Sequence, residues 1–162
     1  MKTTTSLSVK SLLKQLKADF PIVTFTAGTQ FFWSPKDQTV FYNVDRDSEV
    51  ASWALLHELS HGLLGHKSYK TDFELLQLEV AAWDKAGVLA ATYDIAIEQD
   101  HIQDCLDTYR DWLHARSECP SCTEHGLQKN STTYSCLNCH SEWHVSSERF
   151  CRPYRMTTKK SL

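Results

Sequence analysis

The sequence predicts an α+β fold: a small three-stranded antiparallel sheet packed on about four helices, followed by a small β module held by cysteines. Three observations carry this. Apolar residues recur at helical spacing in four segments. Between the first two of those segments lie three short runs of β-branched and aromatic residues. Beyond Arg116 aliphatic residues thin out and Ser, Thr and Cys take over.

The first helix is expected over 8–17, where Val9, Leu12, Leu13 and Leu16 form one apolar stripe. Pro21 opens the β stretch, with strands expected over 22–26, 31–33 and 40–44. The turn Ser34-Pro35-Lys36-Asp37 makes the last two a hairpin. A helix follows over 48–65, with Ser48 as N-cap and Gly65 as stop. Its Leu55, Leu56, Leu59, Leu63 and Leu64 spread over about half its circumference, and Val50, Trp53 and Ala54 widen that cover. A helix apolar nearly all round belongs in the interior. A third helix is expected over 72–91. A fourth is expected over 98–116, turning Ile102, Cys105, Leu106, Tyr109 and Leu113 inward. Segment 117–147 has no helical period and too few aliphatic residues for a core, so something else must hold it together.

The chain has 162 residues, 41% hydrophobic and 23% charged, which is the composition of a folded chain rather than a disordered one. No apolar run approaches the roughly 18 residues that span a bilayer, and the start lacks the apolar core of an export signal. A cytoplasmic protein without membrane contact is expected. The net charge of -3 argues against general nucleic-acid binding. That sum hides an asymmetry: residues 1–116 hold 11 Lys/Arg against 16 Asp/Glu, and residues 117–162 hold 6 against 4. Charge and composition together place one domain at 1–116, a module at 117–152, and a basic, flexible tail at 153–162.

The interior helix carries His57-Glu58-Leu59-Ser60-His61, an H-E-x-x-H pattern. Residues four apart share a helical face, with Cβ atoms about 5–6 Å apart, so two imidazoles can grip one ion. Glu58 lies about 100° round the helix, where it can reach a metal-bound water without ligating the metal. Two His and one Glu on a leucine-rich interior helix would be costly unless compensated, and a metal compensates them. A catalytic zinc needs a third protein ligand. Glu79 is the candidate: it shares an arc of the third helix with Leu75, Ala82, Trp83 and Ala86, while Glu74, Gln77, Asp84 and Lys85 take the other side. Glu74 is the fallback. His66, five after His61, is expected to cap or flank the helix end.

Residues 55–66, Leu-Leu-His-Glu-Leu-Ser-His-Gly-Leu-Leu-Gly-His, are followed by Glu79-Val80-Ala81-Ala82-Trp83. This combination resembles the ImmA/IrrE family of small metallopeptidases and, more broadly, the minimal gluzincins. The likeness covers roughly residues 8–116. It implies a zinc-dependent endopeptidase acting on a specific intracellular, regulatory protein, with His57, His61 and Glu79 as ligands and Glu58 as general base. Where family members often carry an acidic-acidic-Ala-Asn run around the third ligand, this chain has Leu78-Glu79-Val80-Ala81-Ala82. Tyr69, Tyr93 and His101 are candidates to steady the oxyanion. Run 40–44 is expected as a sheet edge that pairs with an extended substrate.

Cys119-x-x-Cys122 and Cys136-x-x-Cys139 are separated by thirteen residues. Each pair can wrap one knuckle around a shared tetrahedral ion, and a coreless segment gains its folding energy from such an ion. We expect a four-cysteine zinc ribbon, hence two zinc ions per chain, one catalytic and one structural. Trp143 is expected to pack on the ribbon, and His140 and His144 to lie at the surface. Cys105 is expected as a packed thiol, and Cys151 has no assigned role. Two alternatives stand beside the peptidase reading. SprT-like proteases, which act on DNA-bound proteins, also join H-E-x-x-H to a zinc ribbon, but they use a third histidine, and this chain has none between Lys67 and Asp100. A non-catalytic regulator or adaptor could instead recognise protein or nucleic acid through the ribbon and basic tail.

Overall fold

Short polar side chains start the helices. The Ser8 hydroxyl accepts from the Ser11 N–H at 3.2 Å and the Ser48 hydroxyl from the Ala51 N–H at 3.1 Å. Thr71 accepts from the Glu74 N–H, and the Glu74 carboxylate reaches back to the Lys70 N–H at 2.6 Å. A computed structural model describes residues 7–147 and 155–157. Its elements are α1 (Val9–Asp19), β1 (Thr24–Gly28), β2 (Phe32–Ser34), β3 (Thr39–Asn43), α2 (Glu49–Leu63), α3 (Asp72–Thr92), α4 (Gln99–Ser117), β4 (Leu127–Asn130), β5 (Thr133–Ser135), β6 (Glu142–Val145) and β7 (Arg155–Thr157). The fold is α+β. No helix among the described residues is long and apolar enough to cross a membrane.

The expected boundary near Ser117 follows composition, whereas the compact units follow packing. One unit comprises Met1–Ser68 with Leu78–Ile102; the other comprises Tyr69–Gln77 with Gln103–Leu162.

In the first unit Leu12, Leu16, Val40, Leu55, Leu56, Leu59, Ala82 and Ala86 are fully buried. Its sheet corrects the antiparallel expectation. The strand order is β1-β3-β2, with β1 parallel to β3 from Thr24↔Thr39 to Gly28↔Asn43, and β2 antiparallel to β3. The expected hairpin is the β2–β3 pair, and the parallel pairing is what the run-by-run reading lacks. Burial explains the order: β3 buries Thr39 and Val40, β1 buries only Phe25, and β2 buries no residue. The most buried strand takes the middle, where both of its backbone edges are paired. The expectation that run 40–44 forms a free edge is therefore overturned; β1 and β2 flank it.

In the second unit four antiparallel strands run β4-β5-β6-β7. Their small core is Cys119, Tyr134, Cys136, Trp143 and Val145. Gly126 is required there, because a Cβ would sit 2.4 Å from the Trp143 ring and 2.7 Å from the Ser135 carbonyl. Arg155–Thr157 fall within the expected flexible tail, yet they form β7 on β6, and the Arg155 guanidinium donates to the Glu118 carbonyl at 2.8 Å. Cys151 and the rest of the tail lie outside the described residues.

A buried ion pair ties this unit together. Arg116 Nε donates to Asp72 Oδ2 at 2.7 Å, with both side chains almost wholly buried. The rest of the guanidinium donates to the Ser131 carbonyl at 2.7 Å and to the Ser146 carbonyl. It also lies 4.5 Å from the centre of the Trp112 ring. Tyr134 donates to the same Asp72 oxygen at 2.6 Å, and Gln128 brackets Asp72 from the other side.

Candidate metal centres

Helix α2 brings the first donor set together. His57 and His61 lie one turn apart on it and are each at least nine-tenths buried. Glu79 on α3 is buried to the same degree, on the arc that also buries Ala82, Trp83 and Ala86. His57 Nε2 lies 3.1 Å from Glu79 Oε2, His61 Nε2 lies 3.5 Å from Glu79 Oε1, and the two Nε2 atoms are 3.2 Å apart. A tetrahedral ion bound at about 2.0–2.1 Å holds its N and O ligands about 3.3–3.4 Å apart. The trio therefore has the spacing of three ligands around one such ion. Burial alone would push the Glu79 pKa up, but hydrogen bonds from His57 and His61, with their charge, hold it well below the usual carboxylate range. The carboxylate is thus the form that faces the imidazoles. Glu74 caps the start of α3 instead, which removes it as a fallback ligand.

Glu58 stands beside this trio without belonging to it. Its Oε2 accepts the Trp33 backbone N–H at 2.8 Å. Burial pushes its pKa up, against the pull of His57, His61 and the Trp33 amide, and the charge of Glu79 adds to the rise. A carboxylate with a raised pKa, standing beside a donor set that could hold a cation, holds a proton more readily than an ordinary carboxylate.

Several contacts here are absent from the sequence reading. Trp33 makes three: its amide on Glu58, its indole N–H donating to the His66 carbonyl at 2.9 Å, and its ring against Gly62. A Cβ at Gly62 would lie 2.9 Å from that ring, so a glycine that weakens the helix by about 1 kcal/mol makes room for the tryptophan. His57 stacks on Trp83 with ring centres 4.2 Å apart. His66 flanks the end of α2 as expected, its N–H donating to the His61 carbonyl at 3.0 Å; in addition its ring meets His61, Nδ1 to Nδ1, at 2.8 Å. The glycine after His61 is the one available signal for Trp33. Among the oxyanion candidates, Tyr93 donates to Asp19 at 2.7 Å, and burial with that bond pushes its pKa up to about 12. His101 packs between the Trp53 and Trp83 rings, and Tyr69 is exposed.

The second donor set is Cys119, Cys122, Cys136 and Cys139, whose sulfurs all lie within 4.8 Å of one another. Cys119 faces Cys139 and Cys122 faces Cys136, each pair at 3.5 Å. That is far beyond a disulfide bond of about 2.05 Å and close to the roughly 3.8 Å separation of thiolates around one zinc. The Ser141 hydroxyl and N–H pull the Cys139 pKa down to about 6. Cys136 moves the other way, up to about 11: N–H groups of Cys139 and Asn138 favour its thiolate, but burial and the neighbouring thiols outweigh them. Four thiolates this close repel one another, and a shared cation removes the conflict. Trp143 is fully buried in the ribbon core, while His140 and His144 are exposed. Cys105 is half-buried.

Comparison with known protein families, curated proteins and solved structures returns no match. Two groups of side chains that can hold a metal ion therefore stand on geometry: two histidines with one glutamate, and four cysteines.

Proposed function

We propose that the protein is a zinc-dependent metalloendopeptidase in a reducing, cytoplasmic setting, with His57, His61 and Glu79 holding the catalytic ion and the four cysteines a structural one. The observation that carries this reading is Glu58. A pure metal-binding fold needs only the three ligands, yet a fourth ionisable group stands beside them, unligated and held by one backbone N–H at 2.8 Å.

Zinc in such a site supplies Lewis acidity, lowering the pKa of water to about 7 and polarising a carbonyl. The chain's own residues do the rest. His57 and His61 present Nε2 lone pairs, and Glu79 presents a carboxylate kept ionised by its neighbours. The Trp33 amide aims the Glu58 carboxylate. Glu58 takes a proton from the attacking water and returns it to the leaving amine, for which its raised pKa suits it. Trp83 stacks on the His57 ring and all three donor side chains are largely removed from water, which strengthens each of these interactions.

The Glu58→Gln substitution tests the assignment. Proteolysis should fall by about 100-fold or more, with zinc content unchanged at two per chain. The same variant should hold uncleaved substrate and allow its isolation. Undiminished cleavage would remove Glu58 from the mechanism.

A further inference from the structure

Helix α2 ends in a turn that folds the chain back on itself. Gly65 adopts φ +66, a left-handed conformation that glycine takes without strain. The Gly65 N–H donates to the Gly62 carbonyl at 3.1 Å and the His66 N–H to the His61 carbonyl at 3.0 Å. This pair of bonds is the Schellman motif. The second bond joins the same two residues whose rings meet, Nδ1 to Nδ1, at 2.8 Å. On its far side the His66 carbonyl takes the Trp33 indole N–H at 2.9 Å. His66 is thus placed by a backbone turn, a ring contact and a tryptophan.

Two imidazole nitrogens this close share one proton. His61 turns its Nε2 towards the lone pairs of His57 Nε2 and Glu79 Oε1, the position of a metal ligand, so its own proton belongs on Nδ1. His66 Nδ1 must then be the acceptor. His57 has no such support: its Nδ1 is buried without a hydrogen-bond partner among the described residues, and stacking on Trp83 holds its ring. The two ligand histidines are oriented by different means.

We propose that His66 is a positioning residue for the metal centre: by accepting the His61 Nδ1–H it fixes the tautomer and ring plane that aim His61 Nε2 at the ion. The inference rests on the reading of His57, His61 and Glu79 as metal ligands. Groups that accept from the outer nitrogen of a ligand histidine typically account for 10–100-fold in metal affinity.

Zinc affinity of the full chain, measured by competition with a chromophoric chelator, tests this. The four-cysteine site serves as the internal reference, and Co2+ substitution reports the coordination spectrum. His66→Leu keeps the bulk and removes the acceptor; it should weaken zinc at the histidine site 10–100-fold and leave the cysteine site unchanged. His66→Asn places an amide oxygen near the position of Nδ1 and should stay within about threefold of the parent. Equal affinity for His66→Leu and the parent would overturn the positioning role alone. Equal weakening by Leu and Asn would also overturn it, since bulk rather than the acceptor would then matter. A parent protein that binds one ion, with no loss on His57→Ala, would overturn the metal reading and the inference together.

Discussion

The two donor sets sit in units that achieve burial by different means. In the first unit eight or more aliphatic side chains are fully buried, and each is worth roughly 1.5–3 kcal/mol where it is a Leu or Val. His57, His61 and Glu79 are set into that core. In the second, the ribbon core is five residues, two of which, Cys119 and Cys136, belong to the four-cysteine group that could hold an ion. The difference bears on the roles proposed for the two ions. One core can exist around its donor set; the other consists partly of its donors. On the proposed reading, an ion at the histidine set would be free for chemistry, and an ion at the cysteine set would be a folding element.

The largest expected effect attacks that contrast directly. Cys119→Ser should release one of two zinc ions and unfold the ribbon, because structural zinc contributes on the order of 10 kcal/mol in small metal-folded modules. Hydrogen exchange is the measurement: amides of β4, β5 and β6 should lose protection, while those of α2 keep theirs. Ribbon strands that stay protected would show a core that stands without its ion. Glu79→Ala is the mirror experiment. It should empty the histidine site, yet lower stability by only about 1–3 kcal/mol, the ordinary range for a single substitution. Glu74→Ala should leave both ions bound and cost about 1 kcal/mol through its cap. Zinc stoichiometry separates the two glutamates.

The parts that can be read from the chain are those set by neighbours in sequence. His57 and His61 are one helical turn apart, Glu79 follows from the period of α3, and the cysteines follow from the knuckle spacing. What cannot be read depends on distant partners. The parallel pairing of Thr24 with Thr39 needs the sheet to exist before it has meaning. Trp33 reads as one more apolar strand residue until its amide is found on Glu58, twenty-five positions away. His66 reads as a helix-end residue, which is correct for its backbone; the ring direction follows from the left-handed Gly65. Asp72 and Arg116 read only as charges near helix ends, and the fold alone brings them together across forty-four residues.

That ion pair is the next way to sharpen the comparison. The second unit relies on buried polar groups as well as thiolates, so Arg116→Met should cost about 3–5 kcal/mol by leaving Asp72 buried without its cation. Replacing Arg110, exposed and paired with Asp107 on the same helix, should cost well under about 1 kcal/mol. Denaturant unfolding followed by ribbon fluorescence from Trp143 reads both. Similar losses for the two arginines would mean that the buried pair is no stronger than a surface one.

The smallest effect is a pH dependence. Burial, the hydrogen bond donated to Asp72 and the charge of that carboxylate push the Tyr134 pKa up, with Arg116 opposing. An unfolded tyrosine ionises near about 10. The folded phenol holds its proton longer, so its contribution is fully present below about pH 10 and drains away as pH rises through the folded value. Tyr134→Phe keeps the ring stacked on Trp143 and removes only the hydroxyl, for a loss of about 1 kcal/mol at neutral pH. Above about pH 10 the parent's advantage over Tyr134→Phe should shrink. Unfolding midpoints measured at neutral pH and again above about pH 10 decide it. A constant gap would mean that the hydroxyl does not titrate with folding, and that Asp72 is satisfied by Arg116 and Gln128 alone.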